Sequence, residues 1–139
     1  MLNPSRADMG LSLLLEQTAR SIYDKRGPTD IHPGQWSALR YFARANRKAR
    51  TVAGLATFLG VTRGPASRAA NSLVKQDFLQ SEINPQDGRS PLFTVTEKGR
   101  DALKHDPIIR LARAISDLKK DQRSDLAESL EQLYSSLNG

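Results

Sequence analysis

The stretch Leu55-Ala-Thr-Phe-Leu-Gly-Val-Thr62 constrains this chain more than any other. Val52, Leu55, Ala56 and Leu59 recur at helical spacing behind a capping Thr51, and Gly60 follows the last of them. A glycine takes positive φ at little cost, so the helix can stop there and the chain can turn at once. Val61 is then expected as the buried residue of the turn, and Thr62 as the cap of a second helix. Two short helices held by so tight a turn leave few folds open.

The second helix divides by face. Ala66, Ala69, Ala70 and Leu73 lie on one side, small enough for close packing on the first helix. Arg63, Gly64, Ser67, Arg68 and Asn71 share the other, a short, polar and basic set suited to base edges and phosphates. Beyond it, Phe78-Leu79 enters a strand reaching about Asn84, Pro85 to Ser90 is a turn cluster, and Leu92 to Thr96 is the return strand. A thin hairpin carrying Arg89 at its tip suits a minor groove about 6 Å wide. Asp87, two residues earlier, is placed to hold the Arg89 guanidinium in one pose. The block from Thr51 to Thr96 is therefore helix, turn, helix and hairpin.

On the N-terminal side, Asn3-Pro4 is read as a helix start and Gly27-Pro28 as its stop, with Leu11, Leu14, Leu15, Thr18 and Ile22 at helical spacing between them. Ile31-His32-Pro33 repeats the start signal for a helix whose buried face is Trp36, Leu39, Phe42 and Ala43, ending near Asn46. The basic run Arg47-Lys48-Ala49-Arg50 follows; a solvated connector and a phosphate contact fit it equally. On the C-terminal side, Thr96 caps a helix to about His105, and Asp106-Pro107 breaks it. Ile108, Leu111, Ala112, Ile115 and Leu118 form one later stripe, and Leu126, Leu130, Leu133 and Leu137 another. This is more aliphatic surface than so small a domain needs, so it is expected to meet the first helix and a second copy.

Composition removes several function classes. The 139 residues contain no cysteine, which excludes disulfides, thiolate zinc sites and thiol redox chemistry. His32 and His105 are the only histidines, so no metal site and no cofactor is expected. The apolar run Gly10–Leu15 lacks a basic flank and runs into Glu16, which makes it neither a signal peptide nor a membrane span; a cytosolic protein is expected. The net charge of +6 is unevenly placed: residues 34–104 carry twelve basic groups against five acidic, while both flanks are close to balanced. Surplus cation confined to one segment suggests a polyanionic partner.

Together the L-A-x-x-L-G-V-T segment (Leu55 to Thr62), the D-G-R of the hairpin (Asp87 to Arg89) and T-E-K-G (Thr96 to Gly99) resemble the MarR family of bacterial winged-helix transcription regulators. The likeness covers nearly the whole chain. It implies a mainly α fold with a small β-hairpin wing, in one MarR-like domain. Residues 34–104 would form a winged helix-turn-helix lobe, with dimerisation helices at 1–33 and 105–139. It further implies a homodimer on a pseudo-palindromic operator in double-stranded DNA, acting as a repressor released by a small aromatic anion. Carried over by position, the major-groove contacts fall to Arg63, Gly64, Ser67, Arg68 and Asn71, and the wing contacts to Asp87, Gly88 and Arg89. Phosphate contacts fall to Arg50, Thr51 and Thr62. A ligand pocket falls to Tyr23, His32, Trp36 and Arg40, though Trp36 also suits the core and Tyr23 the dimer. The chain departs from the family in four places. Gly54 stands where an acid often closes a capping box, and Gly64-Pro65 opens the recognition helix. Asp77 stands in for a glycine after that helix, and Gly88 for an arginine in the wing.

Two other functions compete. A small basic nuclease needs clustered carboxylates or histidines, and Asp77, Glu82, Asp87, Glu97 and Asp101 show no recognisable site spacing. No catalytic residue is assigned. A winged-helix protein-interaction module without DNA binding is the alternative, against which the central positive charge argues.

Overall fold

The computed structural model describes residues 2–23 and 31–139. The chain divides into two compact units, residues 26–106 and residues 1–25 with 107–139. The Gly27-Pro28 stop signal lies outside the described residues.

In the central unit, α2 (Pro33–Arg44) starts where the sequence placed it, with Pro33 in its first turn and the His32 N–H donating to Gln35 Oε1 at 3.0 Å. It buries Trp36, Ala38, Leu39 and Phe42. Ala43, expected inside, is exposed, because the stripe follows 38, 39 and 42 and carries position 43 past its edge. A single 3-10 turn, Arg47–Ala49, leads to α3 (Val52–Leu59). Thr51 caps α3 by accepting from the Gly54 N–H at 3.0 Å, and Gly60 closes it at φ 68°. α4 (Arg63–Lys75) then packs its buried Ala66, Ala70 and Leu73 inward. Val61 is 43% exposed rather than buried. Its N–H donates to Ala56 O at 3.0 Å, so the turn is anchored by backbone, while Leu55, Ala56, Ala66 and Ala70 supply the buried apolar groups.

β1 (Leu79–Asn84) and β2 (Asp87–Val95) form an antiparallel hairpin, with Leu79 opposite Val95 and Asn84 opposite Asp87. The turn is shorter than the composition suggested, because Asn84 Oδ1 accepts from the Gln86 N–H at 3.0 Å and reverses the chain over Pro85-Gln86. Between the pairs Glu82–Leu92 and Asn84–Asp87, Ile83 alone faces residues 88–91, so Gly88, Arg89, Ser90 and Pro91 bulge from the ladder. The Phe93 N–H donates to Arg50 O at 2.9 Å, which ties the segment before α3 to β2. Phe93 and Phe42 are fully buried with ring centroids 5.2 Å apart, each stabilising the fold by about 2–3 kcal/mol. α5 (Glu97–Leu103) ends the unit, and Thr96 caps it through the Gly99 N–H at 3.0 Å.

The other unit holds α1 (Arg6–Ser21), α6 (Ile108–Ser116) and α7 (Lys120–Asn138), none of which contains a buried residue. α1 starts at Ser5 rather than Asn3, because Ser5 and Asp8 bond each other reciprocally: the Ser5 N–H to Asp8 Oδ2 at 2.8 Å and the Asp8 N–H to Ser5 Oγ at 3.1 Å. Leu11, Leu13, Leu14 and Leu15 of α1 are exposed, as are Leu130, Leu133, Tyr134 and Leu137 of α7. Leu15, Leu130, Leu133, Tyr134 and Leu137 line an open groove of about 670 Å³. Among the described residues no helix is long and apolar enough to cross a membrane.

Candidate nucleic-acid interface

The outward face of α4 carries exposed Arg63, Gly64, Arg68 and Asn71 with half-buried Ser67. Asn71 Nδ2 donates to Ser67 Oγ at 3.2 Å, one helical turn away, which orients the amide before any partner arrives. A Cβ on Gly64 would meet Arg68 Nη1 at 3.5 Å, so the guanidinium folds back along the helix over the glycine. Gly64 thus gives the arginine room.

The start of α4 differs from those of α1, α3 and α5. Ser5, Thr51 and Thr96 each accept from the backbone N–H three residues on. The corresponding residue after Thr62 is Pro65, which has no N–H, and Thr62 makes no side-chain cap bond. The expected hydroxyl cap is therefore absent for a covalent reason. Thr51 is the reverse case: its hydroxyl accepts from the Gly54 N–H, which leaves its O–H as a donor, and its own N–H donates to Ala49 O at 2.9 Å.

The other end of α4 is closed without a glycine. Asp77 itself adopts φ 65°, with the Phe78 N–H donating to Leu73 O at 2.9 Å and the Asp77 N–H to Val74 O at 3.0 Å. The start of α5 then grips this terminus. The Thr96 hydroxyl donates to Asp77 O, Lys98 Nζ donates to Gln76 O at 2.8 Å, and the same ammonium lies 4.9 Å from the Phe78 ring centroid. A Cβ on Gly99 would collide with Phe78 O. Thr96, Lys98 and Gly99 all serve the end of the recognition helix, a role the sequence did not reveal. α2 holds the helix from within, Gln35 Nε2 donating to Ser72 Oγ at 2.6 Å.

In the wing, Asp87 Oδ1 accepts the Arg89 backbone N–H at 3.0 Å instead of the expected guanidinium. The bulge explains this, since it turns the Arg89 amide inward toward Asp87 and leaves the side chain exposed. Gly88 has open space around it. At the wing's base, Arg47 pairs with Glu82 at 3.2 Å on the surface. Arg50 is only half exposed, and its Nε is buried without a hydrogen-bond partner among the described residues.

Residues 29–90, which span this helix-turn-helix and most of the wing, match the model of the MarR family. The match covers less than half of the 139 residues. Solved structures extend the likeness over nearly the whole chain. A MarR transcriptional regulator from Methanosarcina mazei Go1 is 24% identical, with a TM-score of 0.74 over 92% of this chain and 93% of that one. The S. aureus MepR–DNA complex is 18% identical, with a TM-score of 0.76 over 96% and 99%. The PcaV transcriptional regulator of Streptomyces coelicolor, in complex with its natural ligand, is 17% identical, with a TM-score of 0.73 over 99% of both chains. No curated protein matches. The fold shared with these structures is a winged helix-turn-helix with further helices at both ends of the chain.

The candidate ligand residues are divided between the two units, Tyr23 in one and His32, Trp36 and Arg40 in the other. Trp36 is core, 3% exposed, and His32 is exposed at the start of α2. Arg40, expected to face a ligand carboxylate, is held by a carboxylate of the chain itself: Nε and Nη2 donate to the two Asp106 oxygens at 2.7 Å each. Asp106 is 6% exposed, and the sequence marked it only as the residue before a helix-breaking proline. Tyr23 is half-buried in the unit of α1. Among the described residues no group of three or more His, Asp or Glu could hold a metal.

Proposed function

We propose that this chain is a sequence-specific double-stranded-DNA-binding transcriptional regulator, a dimeric repressor of nearby genes released by a small aromatic or phenolic ligand. The observation that carries the reading is the outward face of α4, where Arg63, Arg68 and Asn71 are exposed while the C-terminal end of the helix is fixed from behind. A rigid helix presenting short polar and basic groups is what a major groove about 12 Å wide admits. Arg63 and Arg68 suit guanine edges, and Asn71, oriented by Ser67, suits adenine. Arg89 on the bulge supplies a cation for the adjoining minor groove. The structure of MepR in complex with DNA, a protein of the same fold, supports DNA binding.

Dimerisation is supported by the uncovered leucines of α1 and α7 and the groove between them. Two-fold symmetry would set the recognition helices about 34 Å apart, one turn of DNA. Binding of a ligand is supported by the PcaV structure with its natural ligand. In this chain an acid at Arg40 would have to displace Asp106.

Fluorescence anisotropy with the DNA flanking the coding sequence tests the central claim. Tighter binding than to a scrambled duplex, weakening steeply with salt, is expected. Equal affinity for both duplexes at every salt concentration would overturn it.

A further inference from the structure

Between the basic turn and the wing lies a notch of about 190 Å³, lined by Arg47, Lys48, Asn84, Pro85, Gln86 and Leu92. Its chemistry is one-sided. Arg47 and Lys48 reach in from the turn before α3, and the amides of Asn84 and Gln86 from the end of the hairpin, over a floor of Leu92. Asn84 Oδ1 is already committed to the Gln86 N–H, which leaves the Asn84 side-chain NH₂ as a donor. Lys48 is exposed and has no ion-pair or hydrogen-bond partner among the described residues. Glu82 is the one acidic group paired at the rim, holding Arg47 at 3.2 Å with both side chains about half exposed.

We infer that this notch is a second anchor for the DNA backbone, taking one phosphodiester beside the groove that Arg89 enters. The inference rests on the DNA-binding reading and adds a site made of the turn before α3 and the end of the hairpin, none of it from α4. A phosphodiester presents two anionic oxygens and no donor, which matches a wall of cations and amide NH₂ groups. The cavity has room for a phosphate with its bridging oxygens, and its apolar floor fits the neighbouring sugar. Because the notch joins the turn to the end of the hairpin, a phosphate seated in it would fix the wing's approach to the minor groove. Glu82 has a defined part. In the free protein it holds the Arg47 guanidinium, and on DNA it would face the incoming phosphate and oppose it. Lys48 attracts the backbone and Glu82 restrains the attraction, and neither reads a base.

The test compares wild type, Lys48→Ala and Glu82→Gln by anisotropy on the flanking and scrambled duplexes, from 50 to 300 mM salt. Circular dichroism establishes that each variant is folded, with Lys48→Gln as a second neutralising variant. Losing one phosphate contact lowers the slope of log affinity against log salt by about 0.9 and weakens binding about fivefold near physiological salt. Lys48→Ala is expected to show both changes, equally on the two duplexes. Glu82→Gln is expected to tighten both without altering their ratio. Wild-type affinity and slope in Lys48→Ala would overturn the notch and leave the DNA-binding reading standing. A changed ratio between duplexes would also overturn it, by making the site a base reader. Absence of binding by wild type to any duplex would overturn both readings together.

Discussion

The ammonium of Lys98 lies 2.8 Å from the carbonyl oxygen of Gln76, the residue that closes α4. The last carbonyls of a helix point along its axis unpaired and carry partial negative charge, so a cation from the next helix completes them. The same ammonium lies over the Phe78 ring, and the Thr96 hydroxyl takes the next carbonyl, that of Asp77. Lys98→Met keeps the apolar stem and removes the charge. It is expected to cost about 1 kcal/mol, read as a lower urea midpoint at unchanged slope. Faster hydrogen exchange at the Phe78 amide should accompany it, because that N–H closes the α4 terminus.

Gly54 is required by its neighbours. A Cβ there would run into the Tyr41 hydroxyl and the Ala49 carbonyl, which are hydrogen-bonded to each other. The acid common in the family cannot occupy this position while Tyr41 bonds Ala49. Gly54→Ala is expected to lose about 1–3 kcal/mol by overpacking, although alanine is the better helix former. Chemical denaturation checks this, and stability equal to wild type would show that the Tyr41–Ala49 contact yields freely.

The local signals were legible and the distant ones were not. Gly60, Thr51 and Thr96 act within three or four residues of themselves, so their turn and caps could be read directly. Thr62 looked the same but fails as a side-chain cap, because its required donor is the missing N–H of Pro65. The hairpin was legible as a hairpin, but its two-residue turn and the bulge at 88–91 come from pairing, which composition does not reveal. Arg40 was read as a ligand group because its partner Asp106 lies 66 residues away, beyond any spacing rule. Lys98 was read only within T-E-K-G and Glu82 only as a carboxylate without site spacing, for the same reason.

The Arg40–Asp106 pair is bidentate, with the carboxylate 6% and the guanidinium side chain 20% exposed. Removing one partner leaves a largely buried charge, whereas removing both leaves none. Asp106→Asn is expected to cost about 2–3 kcal/mol, less than a fully buried pair because the arginine is partly hydrated. Arg40→Met combined with Asp106→Leu should cost less than the sum of the single changes. A double-mutant cycle by urea denaturation measures the difference, and strict additivity would show that the two charges act independently.

Asp8 gives a pH-dependent signature at the start of α1. Hydrogen bonds from the Ser5 N–H and hydroxyl hold its carboxyl below the ordinary aspartate value. A folded pKa below the unfolded one means that the capping contribution is present above the unfolded value and is lost as pH falls through the folded one. Carboxyl NMR should therefore find Asp8 titrating below 3.8, with fraying of the first turn of α1 at the same pH. Ser5→Ala should move the titration upward. An unchanged Asp8 titration in that variant would leave the Ser5 backbone N–H as the whole cause.

Arg68 and Arg89 separate reading from anchoring. Arg68 folds over Gly64 on the exposed face of α4, where a guanidinium can meet a base edge. Arg89 stands on the wing bulge with its side chain free of Asp87, where the negative potential of the minor groove is the attraction. If both reach DNA, their alanine variants should fail differently. Arg68→Ala is expected to relax discrimination at one operator position by about 1–3 kcal/mol, seen as a flattened preference across single-base operator variants. Arg89→Ala should weaken all variants by a similar factor and lower the salt slope by about 0.9. Competition binding against the complete set of single-base changes distinguishes the two outcomes. Loss of discrimination in Arg89→Ala with full discrimination in Arg68→Ala would reverse the assignment and make the wing the reader.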